Sequence, residues 1–158
     1  LVDTYEVIKK MRPILSKKGS QTVRYEISDV FLRFWFRYFE ANRTLIEMNQ
    51  LKLVEQLILN DYTTYSGKIL EEYFKKQFIE SRQFVDIGSY WEPKKGNQQN
   101  EIDIVALKIE KNKAVAVEVK RQRKEFKPEL FNKRVQHLKD KVLPKYDIEQ
   151  MCLCLDDM

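Results

Sequence analysis

The chain has 158 residues, 43% of them hydrophobic and 34% charged, with four glycines and four prolines, a balance that excludes a disordered or fibrous chain and leaves few long loops. Lysine and arginine exceed aspartate and glutamate by 29 to 24, and the net charge of +5 allows an anionic partner. Residues 30–39 are the most apolar stretch, and Arg33 and Arg37 interrupt them, so no segment reads as a membrane span. The start lacks a secretory signal, and the chain begins at Leu1. It therefore reads as a cytoplasmic piece of a longer protein.

Residues 1–11 space Leu1, Tyr5 and Ile8 for one face of a short helix, which Pro13 ends. A turn-like Lys17-Lys18-Gly19-Ser20 and an alternating segment over 22–27 follow, so residues 14–27 read as a small hairpin. Ser28 or Asp29 can cap the next helix. Its residues 30–39 are so rich in aromatics that a largely buried helix is expected, although interleaved arginines and rings also suit stacking on nucleic-acid bases. A helix over 51–59 is expected to break at Asn60-Asp61-Tyr62, and a second to run from Tyr65 to about Ser81, burying Ile69, Leu70, Tyr73, Phe74 and Phe78.

After Ser81 the period changes from helical to alternating. Strands are predicted over 84–91, 102–109 and 114–120, with a polar loop over 94–100 and a turn at 110–113. Residues 126–142 place Leu130, Phe131, Val135, Leu138 and Val142 at helical spacing, Pro144 stops them, and residues 148–155 make a last strand. From residue 68 the order is helix, three strands, helix, strand, which is a compact α/β domain. Cys152 and Cys154 have no second pair to complete a zinc site and read as small buried hydrophobes.

The chemistry concentrates on two hydrophobic strands that carry charge. Glu101-Ile102-Asp103 opens one, and Glu118-Val119-Lys120 closes the next. Charges on buried strands are costly unless paired or metal-bound. A hairpin turning about Lys111-Asn112 sets Asp103 opposite Lys120 and Val105 opposite Glu118. Opposed residues share a face, so Asp103, Glu118 and Lys120 converge while Val117 and Val119 point away. Paired carboxylates repel, and a hard divalent ion such as Mg²⁺ or Mn²⁺ relieves that repulsion. A structural ion pair with Lys120 is the alternative that needs no metal. Basic side chains follow the strand at Arg121, Arg123, Lys124 and Lys127, with Lys94 and Lys95 on the preceding loop, and suit phosphate contacts as well as a solvated surface.

Asp103 followed by Glu118-Val119-Lys120 resembles the PD-(D/E)XK nuclease superfamily, whose fold is the restriction endonuclease-like one. The Gly67-x-x-x-Glu71 helix is similar to that superfamily's first motif. The resemblance implies Asp103, Glu118 and Glu71 as metal ligands or their helpers, Lys120 as the catalytic lysine, and Gln136 as a polar residue facing the site. Over nearly the whole chain, Tyr25-x-Ile27-Ser28-Asp29-x-Phe31-Leu32-Arg33-Phe34-Trp35-Phe36-Arg37, Gly88-Ser89-Tyr90-Trp91, Glu101 to Ala106 and Glu118-Val119-Lys120 resemble the domain of unknown function 234 that ends prokaryotic AAA+-like (DEXX-box) ATPases.

That resemblance implies three parts: the tail of a winged-helix module over 1–27, a helical linker region over 28–60, and a PD-(D/E)XK nuclease-like domain over 61–158. It implies a Mg²⁺- or Mn²⁺-dependent DNA nuclease domain, attached to an ATPase module, with DNA as partner and homo-oligomers left open. The chain departs from the parent pattern in lacking a G-x-x-x-x-G-K-[ST] loop, so no ATPase activity is expected of it. A non-catalytic regulatory, DNA-binding or assembly domain on the same fold is the rival expectation.

Overall fold

The structure, a computed structural model, describes residues 7–17, 22–93 and 100–158. The chain divides into two compact units, one formed by Leu1–Met11 with Arg24–Ile69 and the other by Arg12–Val23 with Leu70–Met158. No helix among the described residues is long and apolar enough to cross a membrane.

In the first unit, strand β1 (Ile8–Met11) pairs antiparallel with β2 (Arg24–Ile27). The helix expected over 1–11 is thus a strand where it is described, and residues 1–6 lie outside the described residues. Cross-strand partners decide the outcome over local spacing. Lys9 faces Glu26 and pairs with it at 3.3 Å, and Lys10 lies over the Tyr25 ring. The Lys17–Ser20 turn falls mostly outside the described residues.

Asp29 caps helix α1 (Val30–Phe34), its carboxylate accepting the Leu32 N–H at 2.8 Å. The chain continues as a π-helical turn over Trp35–Phe39, a 3-10 turn and helix α2 (Arg43–Glu47). The expected burial of 30–39 is not observed. Only Tyr38 is buried there, while Phe31 is 66% and Phe36 50% exposed. Many of these rings pack on one another: Trp35 stacks on Phe39, and Phe34 and Tyr38 meet Tyr65 edge-on.

Helix α3 runs unbroken over Leu51–Glu80, so the expected break at Asn60-Asp61-Tyr62 does not occur. An aspartate unwinds a helix by bonding its own backbone. Here the Asp61 carboxylate is drawn off by Arg37, with Nη2 to Oδ1 at 2.8 Å, and by the Tyr38 hydroxyl at 2.7 Å. These contacts, Arg37 foremost, hold the Asp61 carboxyl down at about 2. Burial and the neighbouring carboxylate push the Tyr38 phenol up to about 12.

The second unit is built on a four-stranded sheet ordered β3-β4-β5-β6, with β3 (Phe84–Trp91), β4 (Glu101–Lys108) and β5 (Lys113–Val119) antiparallel and β6 (Asp147–Leu153) parallel to β5. Helix α4 (Pro128–Lys141) supplies the crossover that a parallel pair requires. The element order matches the expectation from residue 68 onward, and the mixed α/β class stands.

Two apolar layers flank the sheet. On one face Ile102, Val105, Leu107, Ala114 and Ala116 pack with Phe131, Val135 and Leu138 of α4. On the other Ile104, Val115, Val117 and Val119 pack with Leu70 and Phe74 of α3. Residues 12–23 belong to this unit through Ile14, which is buried and donates its N–H to the Ser89 carbonyl at 2.9 Å. Gly88 makes that approach feasible, because a Cβ there would lie 2.8 Å from the Ile14 Cβ.

A candidate metal and phosphodiester site at the end of the sheet

The hairpin register differs from the expected one. Ile104 pairs with Val117 and Val105 with Ala116, so the strands sit two residues away from the predicted alignment. The four residues between Lys108 and Lys113 form the turn, with Asn112 in the left-handed conformation at φ 58° and the Lys113 N–H returning to the Glu110 carbonyl. A four-residue loop of this kind moves the pivot toward Glu110-Lys111. Val105 therefore faces Ala116 rather than Glu118.

A second irregularity positions Asp103. Gly88 pairs with Val105 and Tyr90 with Ile102, so β4 sets Asp103 and Ile104 against the single Ser89 of β3. Such a bulge interrupts the strict alternation of faces. Ile102 accordingly packs in the α4 layer although Ile104, two residues on, packs in the α3 layer. The pairing recorded for β4 with β5 stops at Ile104. Beyond it the Asp103 side chain reaches across, and its Oδ2 accepts the Val119 N–H at 2.8 Å. The aspartate thereby takes the place of a ladder carbonyl and stands beside the Glu118–Val119 peptide.

Glu118 points to the α4 side, since Val117 and Val119 face α3. It is 6% exposed, the only buried charged side chain among the described residues. Lys120 Nζ lies 2.7 Å from its Oε1, and Arg134 Nη1 of α4 lies 3.2 and 3.3 Å from its two oxygens. Cys152 of β6 is its partner across the parallel ladder, with its thiol pushed up chiefly by burial. The structure thus pairs Lys120 with Glu118 and brings Asp103 to the adjoining Val119 N–H at the end of β4 and β5. Glu71 stands half-buried on α3, between Leu70 and Phe74, which cover the other sheet face.

The remaining expectations divide. Gln136 is exposed and bonds Asp140 along its own helix at 2.7 Å, so it does not reach the group; Arg134 does. Residues 131, 134, 135 and 138 form one helical stripe, and Phe131, Val135 and Leu138 on it are buried. An arginine on a core-facing stripe was the available signal. Leu130, expected inside, is 46% exposed. Lys124 and Lys127 are exposed, and Arg121 is half-buried. Arg123 is taken up by Asp157, both carboxylate oxygens lying 2.7 Å away. Lys94 and Lys95 lie outside the described residues.

A second polar group occupies the same end of the sheet and was not foreseen. Glu92, just after β3, receives Lys141 Nζ at 2.6 Å, His137 Nε2 at 3.2 Å and the Tyr90 hydroxyl. Burial pushes the Glu92 carboxyl upward, but the bonds from Lys141, Tyr90 and His137 outweigh it and hold it at about 2. A cavity of about 560 Å³ lies on the opposite face, lined by Tyr73, Phe74, Phe78, Phe84, Met151 and Leu153. Its lining is mainly apolar, with Gln77, Lys108 and Glu149 also contributing, and it does not include the Glu118 group.

Among the described residues no three carboxylate, imidazole or thiol ligands converge on one point. The donor set at Asp103 and Glu118 is oxygen-only, which fits a small hard cation that keeps several waters and takes one or two protein carboxylates.

Comparison with known proteins adds a family. The model of domain of unknown function 234, described as archaeal and bacterial proteins of unknown function, matches residues 35–134. An uncharacterised protein of Methanocaldococcus jannaschii is 34% identical over 122 residues, covering 73% of this chain and 26% of that protein. The chain thus spans about a quarter of the length of this relative. No solved structure matches.

Proposed function

The chain belongs to the family called domain of unknown function 234, and from that premise we propose that its second unit is a metal-dependent nuclease-like domain hydrolysing DNA phosphodiesters. The carrying observation is the buried Glu118, paired with Lys120 and followed by the Val119 N–H that Asp103 accepts, where the β4–β5 ladder opens. The reading takes this unit as a restriction endonuclease-like core and the β1–β2 pair as part of a winged-helix module. The whole would be the C-terminal part of a cytoplasmic AAA+-like ATPase whose ATP-binding module precedes it.

In this reading Asp103 and Glu118 hold Mg²⁺ or Mn²⁺, and Glu71 assists from α3. The bound ion would polarise the phosphodiester and lower the pKa of water. Lys120 would orient the attacking water and stabilise charge on the phosphate oxygens. Asp103 is oriented by the Val119 N–H, so its carboxylate is pre-aimed. Lys124 and Lys127, with Arg121, would contact flanking phosphates and set the register of the duplex without reading bases. Arg123 contributes by holding the segment around Asp157.

The test is cleavage of single- and double-stranded DNA by the purified protein with Mg²⁺ or Mn²⁺, alongside Glu118→Ala. Cleavage by the parent that falls at least about a hundredfold in the variant is expected, the scale of losing a metal ligand or its support. Equal cleavage by both, or none by either, would sink it.

One observation favours a second reading. Both Glu118 oxygens are already engaged by Lys120 and Arg134. A closed ion-pair cluster of this kind suits a non-catalytic DNA-binding or assembly module on the same fold. DNA binding without cleavage, unchanged by Glu118→Ala, would select it.

A further inference from the structure

Arg134 is the least expected member of the group. It occupies a core-facing position of α4, between buried Phe131 and Val135. Its side chain is 28% exposed, so part of it reaches solvent. One nitrogen, Nη1, straddles both Glu118 oxygens, and Oε1 is shared with Lys120. The carboxylate that would serve a metal is therefore neutralised by two protein cations. A divalent ion on Glu118 would stand within a few ångströms of the guanidinium, in a partly buried setting where like charges are weakly screened.

We propose that Arg134 is a stand-in cation. It holds Glu118 while no divalent ion is bound, and it must withdraw toward solvent before one can settle. This rests on the metal reading above and adds a regulated step to it. Lys120 stays in either state, because its neighbour on the strand keeps it beside Glu118. Arg134 belongs to a different element and can leave without disturbing the sheet. It is a positioning residue that acts through Glu118. The arrangement keeps the carboxylate compensated in the metal-free protein, where an unpaired buried charge would cost stability.

The experiment is Mn²⁺ binding to the whole chain, read as loss of the free-ion electron paramagnetic resonance signal, for the parent, R134Q, R134M, R134K and E118Q. R134Q is expected to bind Mn²⁺ about tenfold more tightly than the parent, as removal of one competing charge would give. R134K should stay close to the parent, and E118Q should lose binding. R134M keeps an apolar stem on the helix stripe and guards against a folding defect in R134Q. Thermal melting supplies a second readout, with Mn²⁺ raising the midpoint more in R134Q or R134M than in the parent.

A silent parent with binding by R134Q also supports the proposal. Affinities equal within twofold for parent and R134Q, or weaker in R134Q, overturn it while leaving the metal reading intact if E118Q has lost binding. No binding by any folded variant overturns both.

Discussion

The two units use their apolar residues in opposite ways. In the second, Phe131, Ile102, Ile104, Leu138, Val105 and Val117 are shut away almost completely between sheet and helices. In the first, Phe31, Trp35, Phe36, Leu51, Leu53 and Leu59 remain exposed, and burial is confined to a few side chains such as Tyr38 and Val54. What fixes the first unit is polar: Arg37, Asp61 and Tyr38 joined across two helices, and Glu26 held by Lys9 and Arg33. Apolar content therefore does not decide where a core forms. A layer forms where elements present matching faces, and rings without such a face stack on their neighbours instead.

The contrast can be broken by truncation. Phe131→Ala should cost about 3–5 kcal/mol in urea unfolding of the second unit, because the residue is fully enclosed and the site cannot collapse. A loss below about 1 kcal/mol would mean that the sheet–helix layer is not a closed core. Gly88→Ala should cost about 1–3 kcal/mol, since the new methyl meets the Ile14 Cβ and one of them must shift. An unchanged midpoint would show that Ile14 is not docked there.

Glu92 sharpens the comparison through pH. Its folded pKa is depressed to about 2 from 4.5, so its stabilisation is complete above about pH 4.5 and is lost as pH falls toward 2. Glu92→Gln should flatten that acid limb of the melting temperature in the second unit and leave the neutral region lower. An identical acid limb in both proteins would remove Glu92 from the account. Phe31→Ala, in the first unit, should change stability by no more than about 0.5 kcal/mol, as expected for an exposed ring. A loss of 2 kcal/mol would erase the distinction between the units.

The succession from α3 to β6 was readable because the period of the apolar residues changes from helical to alternating at Ser81 and back near Phe126. The strand faces were readable too: valines 115, 117 and 119 pointed one way and left Glu118 on the other. The alignment of β4 with β5 was not: Asn112 suits a left-handed turn position, but Ile109-Glu110-Lys111-Asn112 does not say which residues pair on either side of it. Asp103 follows from a hairpin pairing that sets it opposite Lys120, and that pairing is not the one the strands make. The bulge that carries Asp103 to the Val119 N–H depends on β3 and is invisible from β4 alone.

Arg134 was overlooked because an arginine among Phe131, Val135 and Leu138 reads as a surface residue unless its counter-charge on another strand is considered with it. In the first unit, β1 was read as helix because four residues carry too little pattern to outweigh a spacing match. Asp61 was read as a breaker because its partners lie 23 and 24 positions earlier.

The extra residue at Asp103-Ile104 has a bearing on how this strand tolerates change. Upstream, Glu101 and Ile102 keep one phase of in-and-out alternation; downstream, Ile104 to Lys108 keep the other. Deleting a single residue at that junction would restore a regular ribbon with Ile102 and Val105 still on the α4 side, but it would leave one residue opposite Ser89, facing the α3 layer, so the cost would fall on Asp103 and not on the upstream pair. Length changes in the preceding loop carry no such penalty, so drift there would spare the aspartate, whereas a one-residue slip within the strand would not.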